Sequence, residues 1–379
     1  MAFLKPRTRH GIVMTASTPE PKTPKLEERL VTQISKQGPI SFATYMEAVA
    51  DAYYARGTVF GKAGDFITAP EVSQVFGELV GLWCVTTWQA LGQPRNFNLV
   101  ECGPGRGTLM ADALRTVWDI APAFARSASL HLVERSDALR NEQRKTLAAY
   151  DINWHNGLST LPDGPVILIA NEFLDALPIS QFIKTPSGWC ERLVAHDADG
   201  FRFTTAPLQH PEIDNAFDDA PTDSILEQSN AVQEVTSHIA ALCVDNLGAA
   251  LLIDYGHTFS DVGDTVQAVK NHAYHPVLKS PGDADITAHV DFAAVAQSAR
   301  AQGASIHGPV EQGPWLIRLG AEVREVQLSE GKTGTEIQAI HSSIHRLINP
   351  QGMGGLFKVI AFGPNGIAPL SGFEAMPSP

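Results

Sequence analysis

The sequence predicts an α/β fold in which a mostly parallel sheet carries helices on both faces, with a helical preface and an inserted antiparallel segment. Three observations carry this. Apolar runs of strand length recur at Phe97–Val100, Leu130–Val133, Val166–Ala170, Ala249–Ile253 and Phe357–Phe362, as strands buried on both faces do. Segments of helical periodicity lie between them. The first run leads directly into a turn, Glu101 to Gly107, with glycine at 103, 105 and 107, and then into a helix marked by Leu109, Ala113 and Val117. Strand, glycine turn and helix together present backbone amides to a nucleotide-like ligand at the carboxyl end of a strand.

The elements follow in order. Leu26–Lys36 reads as an amphipathic helix ended by Gly38-Pro39, and Ser41–Ala52 as a second helix capped by Ser41, with Phe42, Met46, Val49 and Ala50 inward. Tyr53–Pro70 is loop-like, and Glu71–Leu91 is one long apolar helix, completing an all-helical preface. Thr108 is the expected cap of the helix after the glycine turn. A loop spans Ala121–Ser129, and a charged helix spans Ser136–Tyr150. Gln181–Thr205 alternates polar and apolar residues around Pro186-Ser187-Gly188 and Asp199-Gly200, the pattern of an antiparallel ribbon. An acidic loop, Pro207–Ser224, and a helix, Ser229–Leu242, follow. His272–Phe292 is loop-rich, Phe292–Gln302 helical and Ser305–His307 a short strand. Arg318–Ile348 is helical in two parts. The domain expectation is a disordered tail over 1–25, a helical region over 26–92, a core over 93–178 and 247–379, and an inserted cap over 179–246.

Bulk properties narrow the function. With 379 residues, 44% hydrophobic and 18% charged, the chain is a globular protein of one large domain with an insertion, or of two domains. A formal net charge of −13 opposes a nucleic-acid-wrapping surface and suits a basic partner. Cys84, Cys102, Cys190 and Cys243 are scattered and read as reduced thiols. No apolar run reaches the length of a membrane span. The first 19 residues carry Lys5, Arg7 and Arg9 and no acid, which faintly resembles a transit peptide; a disordered tail, or translation from Met14, is the preferred account.

Glycine spacing separates the ligand classes. A dinucleotide fingerprint needs glycine at 108, which is Thr108, and no Gly-Lys-Ser/Thr follows for a P-loop. E-x-G-x-G-x-G is instead the pattern used for S-adenosylmethionine (SAM), with Glu101 as a carboxylate for a ligand bearing ammonium and sulfonium charge. An ordinary tight turn would need the same glycines, so the loop alone does not decide. Glu134, ending the second strand, stands where a ribose diol is held by charge-assisted hydrogen bonds.

Five motifs in order then resemble one family: GDFITAPEVSQVFGE (Gly64–Glu78), VECGPGRGTLMADALR (Val100–Arg115), NEFLDALP (Asn171–Pro178), DYGH (Asp254–His257) and PGDADITAHVDF (Pro281–Phe292). Together they are similar to the MidA family of SAM-dependent methyltransferases, over about Leu26 to Phe362. The resemblance implies a class I methyltransferase core, Rossmann-like, with a seven-stranded sheet whose last strand is antiparallel. It implies SAM as cofactor, bound by Gly103, Gly105, Gly107 and Glu134, with the Gly64-Asp65-Phe66 loop closing the pocket; Glu101 and Asn171 are further candidate cofactor-binding residues. Animal members are mitochondrial complex I assembly factors similar to protein arginine methyltransferases. The implied partner is therefore a protein, a subunit of respiratory NADH dehydrogenase, carrying symmetric dimethylarginine. A bacterial chain would be cytoplasmic and the alternative is the mitochondrial matrix; a homodimer is the oligomeric option. Asn156-Gly157 departs from the family, standing where an acidic residue often contacts adenine.

Catalysis follows from the acceptor. A guanidinium stays charged below a pH of about 12 and is no nucleophile until carboxylates localise that charge. Glu172 ends a sheet strand where such a carboxylate belongs, and Asp175 is the second candidate or else a turn cap. His289 and Asp291 form a candidate base and orienter, or merely order a loop. His272 and His275 lack the further ligands of a zinc site, and Trp83 and Trp88 read as core. A small-molecule or other-protein methyltransferase is the nearest rival. A non-catalytic SAM-binding assembly factor is another, and a dinucleotide oxidoreductase is a distant third.

Overall fold

The computed structural model describes residues 25–55, 68–208, 213–270 and 272–374. Its main sheet contains β1 (Phe97–Cys102), β2 (Ala128–Val133), β3 (Ile152–His155), β4 (Val166–Asn171), β5 (Ala249–His257), β6 (Ser305–Glu311) and β7 (Phe357–Gly363). They lie in the order β3-β2-β1-β4-β5-β7-β6. Neighbours from β3 to β5 run parallel, and β7 is antiparallel to both β5 and β6. A two-residue strand, Val290–Asp291, pairs with Gly256 and His257 and makes the sheet eight-stranded, one more than the expected seven.

Alternation of side chains explains the layers. Leu99, Ile167, Ile169, Leu251 and Ile253 pack with the helices Gln74–Ala90 and Thr108–Ile120 on one face. Val100, Leu168, Leu252 and Ile360 pack with Asn230–Asp245 and Phe292–Ala301 on the other. Every residue of β1 and β4 is buried, as the unbroken apolar runs require. Strand order reverses between β1 and β4, so the segments leaving their carboxyl ends diverge and open a crevice there.

A third hydrophobic cluster gathers Leu30, Ile34, Phe42, Tyr45 and Met46 from the preface, Ile179 and Val194 from the insertion, and Ala268, Ile286 and Ala288 from the later loop. The insertion is its own sheet: Ser180–Thr185, Gly188–Asp197, Gly200–Pro207 and Ile225–Gln228. Its fifth strand is Ile40–Ser41, which pairs antiparallel with Val194 and Leu193. The preface is thus not all helical.

Other expectations are corrected locally. The Glu71–Leu91 helix is broken at Ser73, whose extended backbone ends Ala69–Val72 and whose hydroxyl accepts from the Val75 N–H to start Gln74–Ala90. The Ala121–Ser129 loop contains a helix, Pro122–Ser127, begun by proline at its first position. The charged helix stops at Thr146. Strand β3 escaped the sequence reading because INWH mixes polar and apolar residues at a sheet edge. Within His272–Phe292, the strands Ala273–His275 and Asp285–Thr287 join Gln267–Lys270 in a small sheet. The terminal helical region divides into Gln312–Arg318, Ala321–Ser329 and Gly334–Ile348. All four cysteines are free, three of them buried, and Trp83 and Trp88 are core residues.

Candidate active site

At the end of β1 the backbone turns through Gly103 (φ 62°), Gly105 (φ 52°) and Gly107 (φ 82°). This is a conformation that L side chains rarely take. A Cβ on Gly103 would also stand 2.9 Å from Cδ2 of Phe173, so the loops after β1 and β4 touch across the crevice. Gly107, not Thr108, occupies the cap position of the following helix. The Thr108 hydroxyl instead donates to Glu71 Oε1 at 2.7 Å, and Arg106 lies 3.5 Å from the other Glu71 oxygen. The short helix Ala69–Val72 is thereby tied to the glycine loop. Gly64, Asp65 and Phe66, expected to close this pocket, lie outside the described residues.

Glu101, within β1, is 3% exposed and its Oε2 has no hydrogen-bond partner. Burial pushes its pKa up to about 8. Asn171, at the end of β4, is likewise buried with an unpartnered Oδ1, its Nδ2 donating to Glu172 Oε1 at 3.2 Å. Glu134 follows β2, and its carboxylate accepts from the Ser136 N–H at 2.7 Å and from Gln143 Nε2 at 3.3 Å. Gln143 also donates to the Gly105 carbonyl, so one side chain braces both the glycine loop and Glu134. Burial raises the Glu134 pKa against these bonds. Exposed Asn156, just past β3, receives Arg140 Nη2 on its Oδ1 at 2.7 Å.

Across the crevice the ends of β4 and β5 gather carboxyls. Glu172 has φ 49°, strained for a residue with a side chain. Its Oε1 accepts from the Ala69 N–H at 3.0 Å, and burial pushes its pKa up to about 7. Asp254 on β5 is 1% exposed. Its Oδ2 accepts from the N–H groups of Phe173, Leu174 and Asp175 at 3.1, 2.8 and 3.2 Å, and its Oδ1 from Tyr255 N–H. It fixes the loop carrying Glu172 and Asp175. Asp175 lies in the turn closed by Leu177 N–H on the Leu174 carbonyl, and its own carbonyl accepts from Ala288 N–H; its carboxyl accepts from the Ala176 N–H and is held well above the usual range by burial and by Asp254, Asp285 and Glu172. Tyr54 Oη donates to Asp285 Oδ2 at 2.8 Å.

His289 stands edge-on to Tyr255 with ring centroids 5.1 Å apart, and burial lowers its pKa. Its expected orienter is engaged elsewhere. Asp291 Oδ1 caps the helix Phe292–Ala301 through Ala293 and Ala294, and its Oδ2 accepts from Ser260.

The structure thus brings Gly103, Asn171, Glu172 and Asp175 to one crevice, with Glu101 beneath it. Two residues acquire no role from sequence reasoning: Asp254, which clamps the loop, and Asp285, which crowds Asp175. Asp254 carried a usable signal, being the first polar residue after the buried run AALLI, as Asn171 is after VILIA. Asp285 carried only its place in the motif PGDADITAHVDF.

Comparisons with known proteins bear on the family and the fold. A family model described as "Putative S-adenosyl-L-methionine-dependent methyltransferase" matches residues 79–310. The chain is 37% identical over 382 residues to the mouse mitochondrial protein arginine methyltransferase NDUFAF7, covering 90% of this chain and 85% of that protein. To the Drosophila melanogaster homologue of the same name it is 36% identical, over 92% of this chain and 88% of the other. A solved Burkholderia thailandensis structure bound to S-adenosyl-homocysteine superposes with a TM-score of 0.81 at 28% identity, covering 92% of this chain and 93% of that one.

Proposed function

This chain belongs to the family of S-adenosyl-L-methionine-dependent methyltransferases, and we propose that it methylates an arginine nitrogen of a protein. The observation that carries this is the pair of carboxyls, half-buried Glu172 and buried Asp175, beside Asp254 opposite the glycine loop with their pKa values pushed up. Uncompensated buried acids favour a cation, and a guanidinium returns both to the carboxylate form through paired hydrogen bonds.

The cofactor fits the residues at its end. SAM supplies an electrophilic methyl on a sulfonium, and its ammonium offers the donors that Glu101 Oε2 and Asn171 Oδ1 lack. In our reading Gly103, Gly105 and Gly107 admit the cofactor against bare backbone, and Glu134 takes the ribose. Glu172 then orients the guanidinium and draws its positive charge toward one side, leaving a terminal nitrogen free to attack. As the new N–C bond forms and the methyl–sulfur bond breaks, leaving neutral S-adenosyl-homocysteine, that nitrogen sheds one proton, which passes to Asp175, or to neutral His289 and from there to solvent.

The relatives' printed names support a protein acceptor. By the family resemblance, we take that acceptor to be a subunit of respiratory NADH dehydrogenase, symmetrically dimethylated. The mitochondrial names of these relatives favour the matrix if the chain is eukaryotic.

The test is incubation with radiolabelled SAM and a membrane extract. We expect label in a protein band whose acid hydrolysate contains dimethylarginine. Label confined to a small metabolite would refute the arginine reading. A Glu172→Gln variant that still supports assembly without any methyl transfer would favour a binding-only role.

A further inference from the structure

The helix Asp137–Thr146 packs against the glycine loop through Gln143, a polar side chain with 0% exposure. A Cβ on Gly107 would stand 3.7 Å from Gln143 Cγ. The Gln143 carboxamide makes three hydrogen bonds. Its Nε2 donates to the Gly105 carbonyl at 2.8 Å and to Glu134 Oε2 at 3.3 Å. Its Oε1 accepts from the indole Nε1–H of Trp154 at 2.9 Å. A carbonyl and a carboxylate only accept, and an indole N–H only donates. These three partners therefore permit one orientation of the amide. Turned over, its oxygen would face two acceptors and its NH2 would face a donor.

Trp154 belongs to the edge strand β3, where it pairs with Leu132 of β2. Its ring is half-buried, packs on the main hydrophobic cluster, and carries the Arg144 guanidinium 4.9 Å from its centroid. Packing on the ring thus fixes where the N–H points. Burying an indole does not by itself produce such a bond. Trp83 and Trp315 are core residues whose Nε1 has no partner among the described residues.

We propose that Trp154 is a positioning residue for the cofactor: through Gln143 it holds the glycine loop and aims the Glu134 carboxylate at the ribose. This rests on the reading that Glu134 takes the ribose, and it is independent of the acceptor. To receive a diol, the carboxylate has to be charged and correctly turned. Gln143 Nε2 serves both needs. It acts with the Ser136 and Arg135 N–H groups and with Arg140 to oppose the effect of burial on Glu134. Without the indole N–H nothing prevents the carboxamide from turning, and an oxygen then faces the carboxylate where a donor stood.

Calorimetry on the full-length protein compares S-adenosyl-homocysteine with its analogue lacking both ribose hydroxyls. We expect the wild type to prefer the diol on the order of 10- to 100-fold, as hydrogen bonds to a charged group would give. Trp154→Phe keeps an aromatic ring and deletes the N–H; it should lose about three- to tenfold of that preference. Gln143→Met, similar in volume, should lose at least as much. The double variant should lose no more than Gln143→Met alone, because both changes cut one path. A role in packing alone would weaken the two ligands equally and leave the preference unchanged. An unchanged preference in Trp154→Phe, or losses that add in the double variant, overturns the proposal. The ribose reading fails in a different way. A wild type that binds both ligands equally takes Glu134 off the ribose, and the positioning role falls with it. A preference that Glu134→Gln abolishes and Trp154→Phe leaves intact keeps Glu134 at the ribose and removes Trp154 alone.

Discussion

Across the crevice, the proposed cofactor end at β1 is built mainly from backbone, and the proposed acceptor end at β4 and β5 from side chains. The glycine loop is contiguous, three residues at positive φ within five positions. The carboxyl cluster is assembled from Glu172, Asp175, Asp254 and Asp285, with Tyr54 reaching Asp285 over 231 positions of chain. On the first side, shape is fixed by the absence of atoms and tolerates no addition. On the second, charge is crowded by burial and waits for a counter-charge. A cofactor that is always the same suits a rigid cradle, whereas an acceptor that arrives as a cation suits a site whose acids titrate.

That contrast can be broken by substitution. The largest effect should come from Glu172→Gln, which keeps shape and removes charge. We expect kcat to fall on the order of 10³-fold with SAM affinity, measured calorimetrically, changed less than about twofold. Comparable losses in both would mean the two ends are not separable.

Gly103→Ala is the mirror experiment. The added Cβ meets Phe173 at 2.9 Å in a left-handed backbone, so SAM affinity should fall on the order of 100-fold, with a normal circular dichroism spectrum.

Glu101→Gln sharpens the picture in stability. Burial pushes the Glu101 pKa up to about 8, from an ordinary glutamate value of 4.5. The folded state therefore retains a proton that the unfolded chain has lost, and stability falls as pH rises between those values. Thermal or urea unfolding without cofactor at pH 7 should show the glutamine variant more stable by about 3 kcal/mol. The gain should vanish below about pH 4.5, where both states are protonated. The same variant should bind SAM more weakly.

Asp254→Asn gives the smallest change, about tenfold in kcat, because an amide oxygen still accepts from part of the loop. Its signature lies in the pH profile. Asp254, Asp285 and Glu172 together hold the Asp175 pKa up, so removing one negative charge lowers it. The acid limb of kcat/KM should move to lower pH. An unmoved limb would mean that Asp254 acts through geometry alone.

How much of this was legible follows the same division. The glycine loop, the buried runs and the carboxylates that end them are local facts, and five of the seven long strands stand out as apolar segments. The strands that escaped or came out short, β3 and β6, are edge strands with half-exposed residues, where periodicity is diluted. Ser73 ended a helix that apolar content alone would have continued, since a single extended residue leaves no trace in hydrophobicity. The expected partnership of His289 with Asp291 fell to a rival of equal local merit, the helix cap. The place of Asp285 in the carboxyl cluster could not be read from its motif, because its neighbours Tyr54 and Asp175 come from remote parts of the chain.

The third hydrophobic cluster has a consequence for synthesis. Tyr45 donates to the Val277 carbonyl across 232 positions, and Ile40 waits for Val194. At about 5–20 residues per second, the first helices leave the ribosome on the order of 10–45 s before their partners exist. For that interval Leu30, Ile34 and Phe42 are apolar surface with nothing to cover them, a stretch for a holding chaperone to occupy. The same order of events keeps the carboxyl cluster incomplete until Asp285 has emerged, so a nascent chain can fold its glycine loop well before it has a complete acceptor site.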